Sequence, residues 1–447
     1  MLEERHFNLT ELREKISDSI TGIFRQFKFI KPVQEKVENA LYLLSTEQTA
    51  YSDSLSTIRK FYNQSPEHQS ALFQILDAMD PKRIESILNQ IFAVMDTPEW
   101  LIVLREDFIN LREKKVAGKR VLPMKNLNAT FKEYFSKIFN FQYFNTRVCN
   151  LQNTSVKLLK YIAEKEGVHP SAHWWSFENR LNSPDRIILS IEHFKMPSIP
   201  LVYIEIAFSR GLIRNIESVI GSKRGTIDVS KANTAIFYSI NTTFKGLQGI
   251  GAGRKMIIRA KEFLKKNYPQ ISRFATLSPV PEFRSYLETV LDTQDHDFFL
   301  HGQDINENRE HQFFTEKEIR EIRQELKSED FELAGMLKTV LEKKKWYGNP
   351  VFRKNMKSPL KNLMLYYLKE EKRHDRKTGL HTNAAFDPVE NFHLSNGAYI
   401  GGINFCANVS PRGVEESFGF MVNYIYDEKK MDADKLRYSA GEVIIRI

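Results

Sequence analysis

Cysteine and long apolar segments are scarce in this sequence. Only two of its 447 residues are cysteines, Cys149 and Cys406, and their separation gives neither a disulfide framework nor paired metal-ligand spacing. We expect both to be buried as small apolar residues. No apolar run approaches the roughly 20 residues of a membrane-spanning helix. The start of the chain is charged, and its end carries no peroxisomal address. These absences predict a cytoplasmic protein without a membrane span.

Charge of one sign is not concentrated in any part of the chain. The net charge is +9, but the 65 Lys and Arg residues are scattered among 56 Asp and Glu residues. No RNA-binding or helix-turn-helix signature accompanies them, so we predict no nucleic-acid partner. A positive field would instead suit a substrate that carries several phosphates. With 42% hydrophobic and 27% charged residues, the composition is ordinary for a globular enzyme.

Glycine is nearly absent from roughly the first 140 residues. Apolar residues recur there every three or four positions, and Ser, Asp or Thr precede several of the repeats as helix caps. The pattern predicts an antiparallel helical bundle over residues 1–144, with no chemistry of its own. A partner surface is the alternative interpretation of its aromatic and Met positions. The predicted helices span residues 17–25, 34–44, 54–62, 66–79, 81–95, 97–114 and 126–139.

The pattern changes to alternating strands and helices from residue 145 onward. The element order is that of an N-acetyltransferase (GNAT)-like α/β core, interrupted by a charged helical insertion at about 300–385. We therefore predict an α+β protein, in which a helical domain precedes a catalytic domain at 145–447. The predicted strands span residues 147–151, 186–193, 200–209, 234–241, 271–278, 397–405 and 419–426, and the predicted helices 154–166, 255–266, 282–291, 315–328, 331–345 and 360–373.

A glycine-rich turn joins the strand at 234–241 to the following amphipathic helix. Gly249, Gly251 and Gly253 allow the backbone to approach an anion, and the amides that begin the helix point at it. The turn fits the pattern Q-x-x-G-x-G and resembles the coenzyme A pyrophosphate loop of the GNAT fold, whereas no Lys-Ser/Thr follows it as in a Walker loop. A plain turn before a helix is the alternative. The predicted coenzyme A-binding residues are Gln248, Gly249, Ile250, Gly251, Ala252, Gly253 and Arg254.

Two residues outside the loop are candidates for the chemistry. Ser278 precedes Pro279 at the end of the next strand, and a right-handed crossover places that end at the same sheet edge as the loop. His393 lies just before a predicted strand, with an Asn-Gly turn after it. Each also has a structural interpretation, as a turn residue or an isolated histidine. We interpret the remaining candidate histidines, at 169, 173, 374 and 381, as structural and predict no metal site.

Four separate blocks of the sequence resemble the signature sequences of the malonyl-CoA decarboxylase family. They cover residues 237–249, 276–283, 387–398 and 408–424, in the family's order. The resemblance implies a helical oligomerisation domain, a GNAT-like catalytic domain, and decarboxylation of malonyl-CoA to acetyl-CoA. It also implies that Ser278 and His393 are catalytic and that Tyr424 supports one of them. Some members carry an acidic residue where this chain has Gly251, which puts a role for a loop carboxylate in doubt.

The chemistry implied by this resemblance requires little from the protein. The thioester carbonyl itself accepts the electron pair that carbon dioxide leaves behind, so we expect no added cofactor. A serine hydroxyl can orient the carboxylate, and a histidine can supply the proton. The expected partners are malonyl-CoA and further copies of the chain, as a homodimer or homotetramer through the helical domain. Two alternatives remain: a coenzyme A-dependent N-acyltransferase and a non-catalytic acyl-CoA sensor.

Overall fold

The structure is a computed structural model. It describes residues 31–447 except 46–50, 96–97, 114, 117–118, 121–123, 140–143, 172, 198, 222–224, 294–312, 328–332, 344 and 375–379. The helix predicted at 17–25 lies outside these residues. The chain divides into two compact units. The first contains the chain up to Arg147 with Ser190–Tyr203 and Thr242–Met256, and the second contains Val148–Leu189, Ile204–Asn241 and Ile257–Ile447.

The first unit begins with consecutive helices, as the periodicity predicts. Ser65 and Asp80 cap the third and fourth of them, each followed by a proline at the first helical position, where the missing N–H costs nothing. Two short strands, β1 (Lys115–Val116) and β2 (Lys119–Arg120), precede the last helix and pair with each other. The helices are α1 (Lys31–Ser45), α2 (Tyr51–Tyr62), α3 (Pro66–Asp77), α4 (Pro81–Val94), α5 (Glu99–Glu113) and α6 (Lys125–Ile138).

Aromatic side chains form much of the core between these helices. Phe73 packs edge-on against Phe108 with ring centroids 5.4 Å apart, and Phe108 contacts Phe131 at the same distance. These three rings connect α3, α5 and α6, and all are fully buried. Rings of this size bury large apolar areas, so they account for much of the helical packing.

A large mixed sheet contains most of the remaining strands. It has eight strands in the order β11-β12-β7-β6-β5-β4-β3, with β8 attached to β12. This order and the element sequence confirm the predicted fold class of helices followed by a GNAT-like mixed sheet. The strands are β3 (Phe144–Cys149), β4 (Arg186–His193), β5 (Pro200–Ser209), β6 (Thr234–Thr242), β7 (Arg273–Thr276), β8 (Ser278–Pro279), β11 (Tyr399–Asn404) and β12 (Met421–Ile425).

The helices that follow β3 in the chain either flank this sheet or belong to the predicted insertion. The three helices predicted in the insertion are present with slightly different ends. The helices are α7 (Val156–Glu164), α8 (Trp174–Asn182), α9 (Glu217–Ile220), α10 (Ala252–Asn267), α11 (Phe283–Thr293), α12 (Glu316–Leu326), α13 (Leu333–Glu342), α14 (Pro350–Asn355), α15 (Lys357–Glu370), α16 (Pro388–Ser395), α17 (Pro411–Ser417) and α18 (Met431–Ser439).

The structure differs from the sequence prediction around His374 and His381, and it confirms the burial of both cysteines. The segment around His374 and His381, predicted as a loop, contains an antiparallel pair, β9 (Lys372–His374) and β10 (His381–Ala385), and the Thr382 hydroxyl of β10 donates to the carbonyl of Arg373 in β9 at 2.9 Å. Both cysteines are buried, as expected, and neither is in a disulfide bond. None of the helices in the described ranges is long and apolar enough to cross a membrane.

The loop after β6 lies directly on α5. A Cβ at Gly246 would collide with the carbonyl oxygen of Ile102, so only glycine allows this approach of two backbones. We expect Gly246→Ala to lower the free energy of unfolding by about 1 to 3 kcal/mol, the usual cost of overpacking. Thermal or urea unfolding measures this change.

Gly225→Ala is the matched control for this substitution. A Cβ at Gly225 has no heavy atom within 4 Å, so the control should unfold like the wild type. Equal stability of Gly246→Ala and Gly225→Ala would contradict the close contact between the loop and α5.

Candidate active site

A break in strand pairing positions Ser278 in the second unit. The parallel pair β6 and β7 stays in register from Thr234 and Arg273 to Phe237 and Thr276. Beyond that point β8 pairs only with β12, where Ser278 lies opposite Val422. The chain after β7 therefore separates from β6 before it reaches Ser278. Pro279 does not end the strand before it, contrary to the sequence prediction: β7 already ends at Thr276, and Pro279 belongs to β8.

His393 lies on a short helix that the sequence interpretation missed. Helix α16 spans Pro388–Ser395, and the Asp387 carboxylate accepts hydrogen bonds from the amides of Val389 and Glu390 at its start. The Asp-Pro pair is a standard signal for a helix start, but the length of eight residues gives little periodicity to detect. The helix holds the histidine ring in the interior, where it is 3% exposed.

Ser278 and His393 contact each other in a chain of hydrogen bonds. The Ser278 hydroxyl lies 3.0 Å from Nε2 of His393 and donates to Oγ1 of Thr276 at 3.0 Å. Thr276 Oγ1 also accepts the backbone amide of Tyr424 at 3.1 Å. A serine hydroxyl can donate to Thr276 and at the same time accept from Nε2 when that nitrogen carries the proton.

Two tyrosines from β12 and the residues after it hold the other side of the ring. The hydroxyl of Tyr426 lies 2.7 Å from Nδ1 of His393, and the ring of Tyr424 stacks on the imidazole with centroids 4.5 Å apart. With Nε2 protonated, Nδ1 accepts the Tyr426 hydroxyl hydrogen. The donor direction then runs from Tyr426 through His393 and Ser278 to Thr276.

Burial keeps the histidine neutral when no ligand is bound. Desolvation lowers the pKa of His393 to about 3, because the charged imidazolium would lose its hydration without gaining a counter-charge. Desolvation also raises the pKa of Tyr424 and of Tyr426 well above the usual value. The ring, its hydrogen-bond partner and the stacked tyrosine are therefore all uncharged at neutral pH.

A buried carboxyl group lies one helical turn before the histidine. Glu390 is fully buried, and neither of its carboxyl oxygens has a hydrogen-bond partner among the described residues. Burial, followed by the charge of Asp387, raises its pKa well above the usual value, while Lys372 opposes the shift. A protonated Glu390 adds no negative charge beside His393, which is consistent with the neutral ring.

The glycine loop belongs to the first unit and has the geometry of a phosphate cradle. Gly249 and Gly251 have φ angles of +74° and +77°, which side chains rarely tolerate. Nothing lies within 4 Å of a Cβ at Gly251, so the space before the loop is open. Helix α10 begins at Ala252, and the amides of its first turn have no carbonyl acceptors inside the helix. Such amides attract anions.

A buried arginine of α5 fixes the backbone of this loop. The Arg105 guanidinium donates through Nη1 to the carbonyl of Gly246 and through Nη2 to that of Gln248, the latter at 2.7 Å. The side chain is 1% exposed, and desolvation lowers its pKa to about 10. It therefore stays charged at neutral pH. Because two loop carbonyls point toward Arg105, the opposite side of the loop is left to the loop amides.

Comparison with known proteins agrees with this geometry. The family described as malonyl-CoA decarboxylase C-terminal domain matches residues 146–446, and its N-terminal domain matches residues 50–139. A mitochondrial malonyl-CoA decarboxylase from Anser anser anser is 31% identical over 81% of this chain and 68% of its own length. The enzyme of the same name from Rattus norvegicus is 29% identical over 81% of this chain and 69% of its own length.

This chain belongs to the malonyl-CoA decarboxylase family. Solved structures of malonyl-CoA decarboxylases share its fold. The protein from Rhodopseudomonas palustris has a TM-score of 0.70 at 20% identity and covers 98% of both chains. The protein from Cupriavidus metallidurans has a TM-score of 0.69 at 22% identity, over 93% of this chain and 97% of its own.

The residues predicted from the family's blocks fall into two groups. Ser278, His393 and Tyr424 come together in the second unit. The predicted loop residues, from Gln248 to Arg254, lie in the first unit. Helix α10, which follows the loop, continues into the second unit from Ile257 onward. The catalytic and binding roles of these residues remain predictions. Tyr426 and Thr276 were missed, although Tyr426 lies on the same strand face as Tyr424, two residues away.

The other histidines make no metal cluster. Among the residues that the structure describes, no group of three His, Cys, Asp or Glu side chains could hold a metal ion. His169 is buried beside Glu166, and desolvation lowers its pKa to about 4. Its surroundings form a buried polar cluster in which Arg180 pairs with Glu205 at 3.3 Å and the Asn241 amide donates to Glu166 at 2.9 Å. The side chain of Asn241 is therefore already engaged within the protein.

Removing the tyrosine hydroxyl at Nδ1 tests the hydrogen-bond chain. In Tyr426→Phe, Nδ1 loses its donor, and we expect the proton on His393 to redistribute between the two ring nitrogens. The ¹⁵N shifts of selectively labelled histidine report this tautomer directly, with the His393→Asn spectrum to identify the signal.

Tyr424→Phe is the control for this measurement. The Tyr424 hydroxyl has no hydrogen-bond partner among the described residues, so its removal should leave the tautomer of His393 unchanged. Identical histidine shifts in Tyr426→Phe and the wild type would show that Tyr426 does not set the tautomer.

Proposed function

We propose that this protein decarboxylates malonyl-CoA to acetyl-CoA and carbon dioxide. The observation that carries the proposal is the direct contact of Ser278 with His393, 3.0 Å between Oγ and Nε2, in a chain that belongs to the malonyl-CoA decarboxylase family. We assign the phosphates of coenzyme A to the loop from Gln248 to Arg254. We assign the malonyl group to Ser278 and His393.

The proposed reaction uses each group once. The bond between the malonyl carboxyl carbon and the methylene carbon breaks, and its electron pair moves into the thioester carbonyl to give an enolate. The Ser278 hydroxyl orients the carboxylate without neutralising it, because a neutral donor stabilises the charged ground state only weakly. His393 takes up a proton from solvent when the malonyl carboxylate binds, Nε2 of this imidazolium then gives the proton to the methylene carbon, and the ring is left neutral. Backbone amides of β6 remain our candidates for the enolate site.

We propose that no added cofactor takes part. The thioester carbonyl is one bond from the carbon that loses carbon dioxide, so it serves as the electron sink that pyridoxal phosphate or a metal would otherwise provide. The uncharged surroundings of His393 favour a step in which negative charge spreads from a carboxylate into an enolate. Full turnover in the presence of a chelator tests the absence of a metal requirement.

Two other functions remain testable. An N-acyltransferase would transfer the acyl group to an amine and release free coenzyme A, and an acyl-CoA sensor would bind without turnover. Mass spectrometry of malonyl-CoA incubated with catalytic amounts of the protein separates the three. Acetyl-CoA in molar excess over the protein supports decarboxylation, and free thiol that depends on an amine would support acyl transfer.

Ser278→Ala should bind coenzyme A within a few fold of the wild type and lose roughly 10²-fold in kcat, the scale for one preorganised donor. The substitution removes only the hydroxyl, and Ser278 is 7% exposed, so folding should be retained. Kinetics with malonyl-CoA and calorimetric titration with coenzyme A give the two values. A wild-type kcat would remove Ser278 from the mechanism.

His393→Asn should lower kcat by about 10²- to 10⁴-fold, the usual contribution of a positioned general acid. In the free protein the pKa of His393 is lowered to about 3, so the ring is already neutral across pH 5.5 to 8. Consequently kcat/KM should show no limb from His393 in that window. A bound malonyl carboxylate favours the charged ring and raises its pKa, so kcat should fall as pH rises through that higher value.

The pH profile of His393→Asn completes this test. Its residual kcat should lack the falling limb that the wild type shows. Profiles of the two proteins that superimpose after scaling would assign proton delivery to another group, with Tyr424 or an ordered water the next candidates. A kcat/KM limb near pH 6.5 that disappears in the variant would instead mean that the ring titrates normally before the substrate binds.

We also propose a homodimer or homotetramer formed through the helical domain, and a cytoplasmic location. Substitutions on the exposed faces of the helices before residue 144, made in the full chain, test that domain. Light scattering measures the assembly, and cell fractionation decides the location. The curated relatives are named as mitochondrial enzymes, so a mitochondrial signal in that experiment would reject the cytoplasm.

A further inference from the structure

Helix α6 brings a charged side chain to the glycine loop. A Cβ built at Gly249 would lie 3.6 Å from Cε and 4.0 Å from Nζ of Lys132. Gly249 is one of the two loop glycines with positive φ, so the ammonium group lies beside the turn itself. Both residues belong to the first unit.

The ammonium of Lys132 has no partner in the described part of the chain. It takes part in none of the hydrogen bonds or ion pairs there, and its side chain is exposed. Lys137, on the same helix, is paired with Glu85 and Glu133, both at 3.0 Å. Lys132 is thus a cation without a counter-charge beside a loop shaped for anions.

The lysines on either side of the loop are already engaged. Lys245 binds the Asn110 side chain at 2.8 Å and forms an ion pair with Glu113. Lys255 donates to the carbonyl of Phe139 at the end of α6. Both therefore hold the loop against the helices, and neither ammonium is directed at a ligand.

We propose that Lys132 is a ligand for the pyrophosphate of coenzyme A, supplied by the helical domain to the glycine loop. The inference rests on the proposed function, because that function brings a pyrophosphate to this loop. It also gives the helical domain a binding role that the sequence analysis did not expect.

The position of Lys132 favours the pyrophosphate over the 3′-phosphate. The amides of the loop and of the first turn of α10 can bind one anion. The ammonium of Lys132 lies beside Gly249, so it would contact the edge of that anion. A lysine in that position adds a mobile point charge to the fixed amide dipoles, an arrangement that also binds phosphates in other glycine loops. The 3′-phosphate is on the ribose, several bonds further along the ligand.

The test is Lys132→Ala, with calorimetric titration of coenzyme A and of dephospho-coenzyme A. We expect the dissociation constants of both ligands to rise by about 5- to 20-fold, since both retain the pyrophosphate. With malonyl-CoA as substrate, KM should rise similarly and kcat should stay within twofold. The malonyl thioester of pantetheine, which has no phosphate at the pyrophosphate position, should be turned over by Lys132→Ala and the wild type with equal kcat/KM.

Two matched variants control for charge and for folding. Lys132→Arg keeps the charge and should recover most of the affinity. Lys137→Ala removes an equally exposed lysine from the same helix and should leave both dissociation constants unchanged. Equal losses in Lys132→Ala and Lys137→Ala would mean a general electrostatic effect and would overturn the assignment.

The remaining outcomes also decide the assignment. An unchanged affinity for coenzyme A in Lys132→Ala overturns it, and so does a loss confined to coenzyme A with its 3′-phosphate. A reduced kcat/KM for the pantetheine thioester would indicate damage to the catalytic residues and would overturn it as well. If the wild type binds coenzyme A through Lys132 but does not decarboxylate malonyl-CoA, the proposed function fails and this inference stands.

Discussion

The end of the pairing between β6 and β7 is the constraint on which the hydrogen-bonded cluster of Ser278 and His393 depends. Parallel pairing stops at Phe237 and Thr276, and the chain continues as β8 with β12 as its only partner. A continuous β7 would place Ser278 within a fully paired strand. The loss of β6 as a partner instead leaves this part of the chain paired with β12 alone, the strand that carries Tyr424, and Ser278 lies within reach of the histidine on α16.

The hydrogen bonds within this cluster explain how a buried chain of polar groups can be stable. An unpaired hydroxyl or imidazole in the interior costs about 1 to 3 kcal/mol, so a cluster of this kind persists only when its members satisfy one another. Thr276 supplies the end of the chain, because a backbone amide of β12 fixes its oxygen. Tyr426 supplies the other end. The hydrogen-bond partners of both ring nitrogens of His393 are therefore set by the strands and not by a charged neighbour.

The sequence alone predicted much of the fold. Of the hydrogen-bonded cluster it predicted Ser278 and His393 but not Thr276 or Tyr426. The helices of the first unit follow from caps such as Ser65 and Asp80, which act locally and leave a readable signal. The closing strands were predicted to within about two residues. Helix α16 was missed because it is short, and because the Asn-Gly turn directly after its end was read only as a turn before the next strand.

Contacts between distant segments were beyond that reasoning. The family blocks pointed to Ser278 and His393, but nothing in the spacing indicated which tyrosine would bond to the ring and which would stack on it. Tyr424 and Tyr426 are alternate residues on one strand face, so both fit the sequence pattern equally. Arg105 gave no signal at all, since a helical arginine reads as solvent-exposed until the loop carbonyls it binds are known.

The low pKa of His393 gives the substrate an active part in the chemistry. A ring with a pKa lowered to about 3 by burial does not hold a spare proton at neutral pH, and the buried carboxyl of Glu390 does not provide the counter-charge that would change this. The malonyl carboxylate is itself an anion, and its arrival would favour the imidazolium. Loss of carbon dioxide then moves that charge into an enolate that needs a proton. Giving this proton to carbon would leave the ring neutral, and acetyl-CoA lacks the carboxylate that would recharge it, so the proton would be loaded only when there is substrate to use it.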